Sequence, residues 1–306
     1  MRVIRAALVA AVSAVAAGAA AAAEPAPPPP AALQPLVTTT ELVVGRNRFA
    51  FGLLKDGSLL PARPVSIRVY DITSDDAQLV SVAPAPYHPL EVIEGDRHVH
   101  VHPDGTRHLH DSATDVRGIY VAQLTLPRAG AWGLEIAVEH TPGVVEATRL
   151  SVDAVPRSRA PLPGAPAPRS RNRIAADVSD LRLIDSSEPP DPRLHQTRIA
   201  DSIREGRPQL IVFATPKYCT SRVCGPVLDV VRTLIPVYGD RVAFVHEEIW
   251  RVGDMQRLSP TVEEWSLHSE PWIFIVDGDG VIRARFEGIT TRRELETALQ
   301  QTLRLP

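Results

Sequence analysis

The stretch Leu210-Ile-Val-Phe-Ala-Thr-Pro-Lys-Tyr-Cys219-Thr-Ser-Arg-Val-Cys224-Gly-Pro226 carries both cysteines of the chain. It opens with a continuous apolar run, Leu210 to Phe213, of the kind found in strands buried on both faces. Just beyond it, Leu228, Val231, Leu234 and Ile235 recur at helical spacing between Val227 and Val237, which predicts a helix. The cysteines therefore fall where a buried strand turns into a helix. A helix N-terminus supplies unpaired N–H groups and partial positive charge, so a thiol there ionises more readily and becomes a better nucleophile. Closing so short a loop constrains the unfolded chain by only about 2 kcal/mol. Such a bridge is a poor staple, and thiolate attack on one of its sulfurs could reopen it.

Working outward, Arg241 to Trp250 reads as a strand, and Trp272–Val276 with Val281–Phe286 reads as a hairpin about Asp277-Gly-Asp-Gly280. Thr291-Arg-Arg-Glu294 is a capping box opening a last helix. The predicted order is strand, helix, strand, strand, strand, helix, a small α/β domain over 173–306. These residues resemble the thioredoxin fold, in particular exported domains of the TlpA type. The matching pieces are the strand Leu210 to Pro216, the cysteines with Gly225-Pro226, Ser269-Glu270-Pro271-Trp272 leading into Ile273 to Gly280, and the closing strand to Phe286-Glu-Gly288. The resemblance implies thiol–disulfide exchange, and it implies that Pro271 is a cis proline facing the dithiol.

Two departures from that pattern matter. Four residues separate the cysteines where the family has two, and Cys224-Gly225-Pro226-Val227 also aligns with the family's Cys-Gly-Pro-Cys. Either Cys219 or Cys224 could then be the nucleophile. The buried acid of many thioredoxins is missing from the apolar run, and His246, beside Glu247 and Glu248 at the end of the next predicted strand, is the candidate base near neutral pH.

The N-terminal part has a different character. Met1-Arg-Val-Ile-Arg5, an uncharged alanine-dominated run and Ala21-Ala22-Ala23 before Glu24 predict a cleaved signal peptide at 1–23. The mature protein is then expected to be exported, periplasmic or extracellular, without a membrane span, where disulfides persist. Proline-rich spacers are predicted at 24–36 and 156–172. Between them, 37–155 shows short alternating runs such as Arg48 to Leu54, Val65 to Tyr70, Ile119 to Leu126 and Trp132 to Val138, punctuated by Asp56-Gly57 and Ala129-Gly130. This predicts an antiparallel, immunoglobulin-like β-sandwich, and Gly118 to Ala122 with Ala129 to Leu134 resembles exported modules of the YtkA or FixH type. The expected fold class is therefore two-domain, a β-sandwich followed by a thioredoxin-like α/β domain. With Lys+Arg at 33 against Asp+Glu at 36, no basic nucleic-acid footprint exists.

Within the sandwich lies His98-Val-His100-Val-His102-Pro-Asp-Gly-Thr106-Arg-His108-Leu-His110. A three-residue turn at 103–105 sets His100 opposite His108 and His98 opposite His110, with His102 facing Thr106. The five imidazoles then share one face, where opposed pairs could bind copper or zinc. His140, His195 and His268 stand alone. The sequence thus predicts an exported thiol–disulfide oxidoreductase acting on protein thiols or disulfides and needing no cofactor for exchange. The alternatives are a copper- or zinc-delivery protein built on the histidine hairpin, and a non-catalytic adaptor with one structural disulfide.

Overall fold

In the computed structural model, which describes residues 33–91, 93–94, 97–101, 106–111, 116–219, 223–251 and 254–304, the strand Gly118–Leu126 is buried on both faces from Gly118 to Ala122. Tyr120, Ala122, Leu124 and Leu126 enter one core with Phe49 and Phe51 of Gly45–Lys55 and with Trp132, Leu134, Ile136 and Val138 of Gly130–Thr141. Ile119 and Val121 point the other way. They join Cys224, Val227 and Leu228 of the helix Cys224–Tyr238 in a second core.

The first core lies between two sheets. One orders Gln34–Val37, Gly45–Lys55, Gly118–Leu126 and Tyr87–Pro89, and Ser58–Leu59 also pairs with Gly45–Lys55. The other orders Leu42–Val43, Val144–Val155, Gly130–Thr141, Val65–Asp71 and Gln78–Pro84. Asp56 and Gly57 both take positive φ, 53° and 75°, in the turn their sequence predicts. A third, small sheet contains Ile93–Glu94, Arg97–Val101 and Arg107–Asp111.

The C-terminal sheet orders Ala243–Glu248, Gln209–Ala214, Trp272–Val276 and Ile282–Glu287. Gln209–Ala214 runs parallel to Ala243–Glu248 and antiparallel to Trp272–Val276. The helix Arg292–Leu303 begins with the capping box, Thr291 Oγ1 accepting from the Glu294 N–H and Glu294 accepting from the Thr291 N–H. The 156–172 stretch lies along this sheet: Gly164 N–H donates to Ile282, Ile282 N–H to Ala165 and Ala167 N–H to Gly280. Pro166 between them lacks an N–H, so the non-proline residues carry the pairing.

This arrangement overturns the predicted fold class. Among the described residues strands form 42% and helices 19%, in several sheets, and the C-terminal part is not a clear thioredoxin-like α/β domain. Between Ala243–Glu248 and Trp272–Val276 the chain makes a second hairpin, Trp250–Arg251 with Asp254–Leu258, and then only the five-residue helix Pro260–Glu264. The segment before Ile199–Arg204 forms short 3-10 turns. Little helix is left to cover that sheet, and the sandwich strand Gly118–Leu126 contributes to the core that buries the cysteine helix. Among the described residues no helix is long and apolar enough to cross a membrane. The predicted leader at 1–23 lies outside the described residues.

Candidate functional site

The strand Gln209–Ala214 is buried along its whole length, as four consecutive apolar side chains require, and it delivers the chain to Thr215. Tyr218 N–H returns to the Thr215 carbonyl in a turn, and the helix then starts at Cys224. No side chain of Val223 caps this helix. Instead the Cys224 N–H donates to Cys219 Sγ at 3.3 Å, so the sulfur occupies the place of a capping oxygen. Pro226 sits in the first turn, where its missing N–H costs nothing.

The two cysteines are present as thiols and differ in access: Cys219 is half-buried and Cys224 fully buried. The hydrogen bond with Cys219, burial and the charges of Cys219 and Glu270 push the Cys224 thiol far up, while the Thr215 backbone works in the opposite sense. The helix N–H aimed at Cys219 favours negative charge there. Glu270, whose charge reaches Cys224, precedes Pro271 across a cis peptide bond.

His246 sits on Ala243–Glu248, opposite Val212, and is 1% exposed. Its Nε2 lies 3.0 Å from the Ala214 carbonyl, which can only accept, so Nε2 carries a proton. Its Nδ1 is 3.5 Å from Asp185 Oδ1, an ion-pair separation too long to satisfy it as a hydrogen bond. The Asp185 carboxylate accepts from the Ser187 N–H and hydroxyl, the Asp191 N–H and His195 Nε2. Arg232 of the cysteine helix braces this loop, donating to Ser187 Oγ at 2.8 Å while paired with Asp229 at 2.7 Å.

Burial opposes a charge on His246, but the Asp185 carboxylate, Glu248 and the Ala214 carbonyl outweigh it and raise its pKa to about 9. Burial likewise works to raise the Asp185 carboxyl, yet the two histidines hold it well below the usual carboxylate range. Burial and the neighbouring His246 lower His195 despite its bond to Asp185. Within the buried group, charge is thus favoured on Asp185 and His246 and disfavoured on His195. The group's donor atoms all lie within 4.8 Å of one another, so the three residues could hold a metal ion. Glu247, on the same strand, accepts from Ser259 Oγ at 2.9 Å, and burial pushes it up to about 7.

The structure therefore sets the Cys224 N–H on Cys219 Sγ and the Glu270 charge within reach of Cys224, gives Pro271 a cis peptide bond, and places His246 behind the strand end with neither ring nitrogen directed at a sulfur. The histidine hairpin is a separate feature. Its backbone register pairs His108 with His100 and His110 with His98, and His102 lies outside the described residues. The strand Arg97–Val101 runs beside the cysteine helix, with Val99 buried.

Asp185 is not singled out by the sequence, and His195, read there as standing alone, in fact pairs with it. Asp185 and His195 lie in a stretch without periodicity, and the only local signal was Asp185-Ser-Ser187, a short turn-forming run.

Comparison with known proteins names no family. No family profile matches the chain, and no curated protein matches it. Among solved structures, a DUF4426 family protein from Pseudomonas aeruginosa PAO1 is similar at 13% identity and a TM-score of 0.22, covering 37% of this chain and 77% of its own. A likeness that weak carries no argument about fold or activity.

Proposed function

We propose that the protein is a thiol–disulfide oxidoreductase whose working pair is Cys219 and Cys224. The observation that carries this reading is the 3.3 Å approach of the Cys224 N–H to Cys219 Sγ, between a half-buried and a fully buried thiol. Cys219 attacks a protein disulfide, the substrate S–S bond breaks, and the released thiolate takes up a proton. Cys224 then loses its proton and bonds to Cys219 Sγ, expelling the second substrate sulfur as thiolate. The substrate is reduced by two electrons and the pair is oxidised to a disulfide, and the same steps run backwards introduce one. A leader at 1–23 would place this exchange in a compartment where disulfides persist.

Insulin reduction by the tag-free mature chain, driven by dithiothreitol, tests the reading. Cys219→Ser should abolish turnover, and Cys224→Ser should accumulate a mixed disulfide at Cys219 visible by intact mass. Turnover unaffected by either change would remove the proposal.

A second reading is metal binding, favoured by the buried His246 Nδ1, which has no hydrogen-bond partner and faces Asp185 and His195. Two imidazoles and a carboxylate suit zinc or copper. The hairpin register, which sets two histidine pairs opposite each other, offers a second position for the same metals. Elemental analysis of untagged protein separates them: Asp185→Asn should remove metal held by the buried group, and His98→Gln with His108→Gln should remove metal held by the hairpin. Protein without stoichiometric metal after growth in zinc and copper would count against both.

A further inference from the structure

Residues of the sandwich strand Gly45–Lys55 and of the C-terminal elements Ile282–Glu287 and Arg292–Leu303 enclose a cleft of about 770 Å³, within the size range of small-molecule sites. None of Cys219, Cys224, Asp185, His195 and His246 lines it, so it is separate from both sites described above. Its charges are unevenly satisfied. The three carboxylates in its wall are all engaged: Glu294 pairs with Arg48 at 2.7 Å, Glu41 with Arg285 at 3.5 Å, and Glu287 accepts from the hydroxyls of Ser269 and Thr40. Arg283, also in the wall, pairs with Asp277. The side chains of Arg46 and Arg293, which line the same cleft and are exposed, make no hydrogen bond or ion pair among the described residues.

Arg46 stands two positions from Arg48 and so on the same face of its strand. Arg293 lies in the first turn of the last helix. The N–H groups of Arg292 and Arg293 already donate to the Glu91 carboxylate, at 3.1 and 3.4 Å, so what this turn offers the cleft is a guanidinium. The wall also carries apolar side chains open to water: Val44 and Leu162 are each 39% exposed, and Phe286 is half-buried.

We infer that this cleft binds a small amphipathic organic anion, its carboxylate, sulfonate or phosphate group on Arg46 and Arg293 and its apolar body against Val44, Leu162 and Phe286. A guanidinium is weakly hydrated and matches an oxyanion with two parallel hydrogen bonds, so pairing gains more than it loses in desolvation. A cation would find every carboxylate of the wall already committed. An inorganic anion would leave the apolar side chains wet, and a neutral apolar molecule would leave both guanidiniums without a partner.

The experiment uses the full mature chain and three probes: anilinonaphthalene sulfonate, the neutral phenylnaphthylamine with the same rings and no sulfonate, and inorganic sulfate. Fluorescence titration and equilibrium dialysis should show one saturable sulfonate site per chain, with inorganic sulfate a poor competitor. Arg46→Gln combined with Arg293→Gln should weaken the organic sulfonate at least about tenfold, the scale of hydrogen bonds to a charged group, and leave phenylnaphthylamine within about twofold. Leu162→Asp should weaken both aromatic probes. Because neither arginine side chain holds a partner, the melting temperature of the double variant should match wild type, which separates lost binding from damage to the fold. Displacement of the bound sulfonate by dodecanoate supports a free amphiphile as the ligand. Displacement by phosphatidylglycerol vesicles and not by dodecanoate would overturn it in favour of a lipid surface. Sulfonate binding unmoved by the double substitution, equal wild-type affinity for the two aromatic probes, or no saturable binding at all would also overturn the inference.

Discussion

Glu247 and His246 are neighbours on one strand that both hold their proton more tightly than usual, Glu247 because burial disfavours its charge and His246 because Asp185 outweighs its burial. Burial raises the Glu247 carboxyl to about 7, against the ordinary 4.5. Between those values the folded state binds a proton that the unfolded chain has released. Stability linked to this group is therefore full below pH 4.5 and declines as pH rises toward 7. Glu247→Gln keeps an acceptor for Ser259 and removes that loss, so it should stabilise the protein by up to about 3 kcal/mol at pH 8 and have little effect at pH 4. Melting at the two pH values checks this, and an equal gain at both would show that charge is not the cause. The cysteines were legible at this scale because a thiol pair between strand and helix is a local pattern. Asp185 and His195 were not, because they meet His246 only through tertiary folding, with no fixed spacing to betray them.

Single elements show where periodicity is informative and where it misleads. The capping box at Thr291 and the turn at Asp56-Gly57 were readable because both are settled by a few adjacent residues. The strand Gly118–Leu126 reads as one face of a sandwich, yet Ile119 and Val121 are needed by a second core that includes Cys224. A single strand cannot announce what covers its far side. Ile119→Ala should cost about 2–5 kcal/mol, the usual range for emptying a buried aliphatic site. Because that side chain belongs to the core holding Cys224, the loss should also speed alkylation of Cys224 in reduced protein well below the denaturation midpoint. Urea titration with mass-resolved iodoacetamide labelling reads both effects. Destabilisation without faster labelling would mean that Ile119 supports the sheet but does not shield the thiol.

Across the whole molecule, residues 32–306 form one compact unit, and charges as well as apolar faces cross between the sandwich and the C-terminal sheet. Arg48 pairs with Glu294 at 2.7 Å, both about 12–13% exposed, and also donates to the carbonyls of Glu287 and Ile289. Arg285 reaches Glu41 at 3.5 Å. Burial works to raise the Glu294 carboxyl, but Arg48 outweighs it and holds the group below its ordinary value. The stability this pair contributes is present above the ordinary carboxylate pKa and fades as pH falls through the lowered one. Arg48→Met leaves burial opposed only by the Thr291 N–H and the charge of His88, so the carboxylate would lose its ion-pair partner at neutral pH at a cost of about 3 kcal/mol. Acid relieves that penalty by protonating Glu294, so the deficit of Arg48→Met relative to wild type should be largest near pH 7 and shrink toward pH 4. Adding Glu294→Gln should recover most of the neutral-pH loss. Urea midpoints of the three proteins at both pH values give the comparison, and a deficit independent of pH would assign the role of Arg48 to its carbonyl contacts instead of its charge.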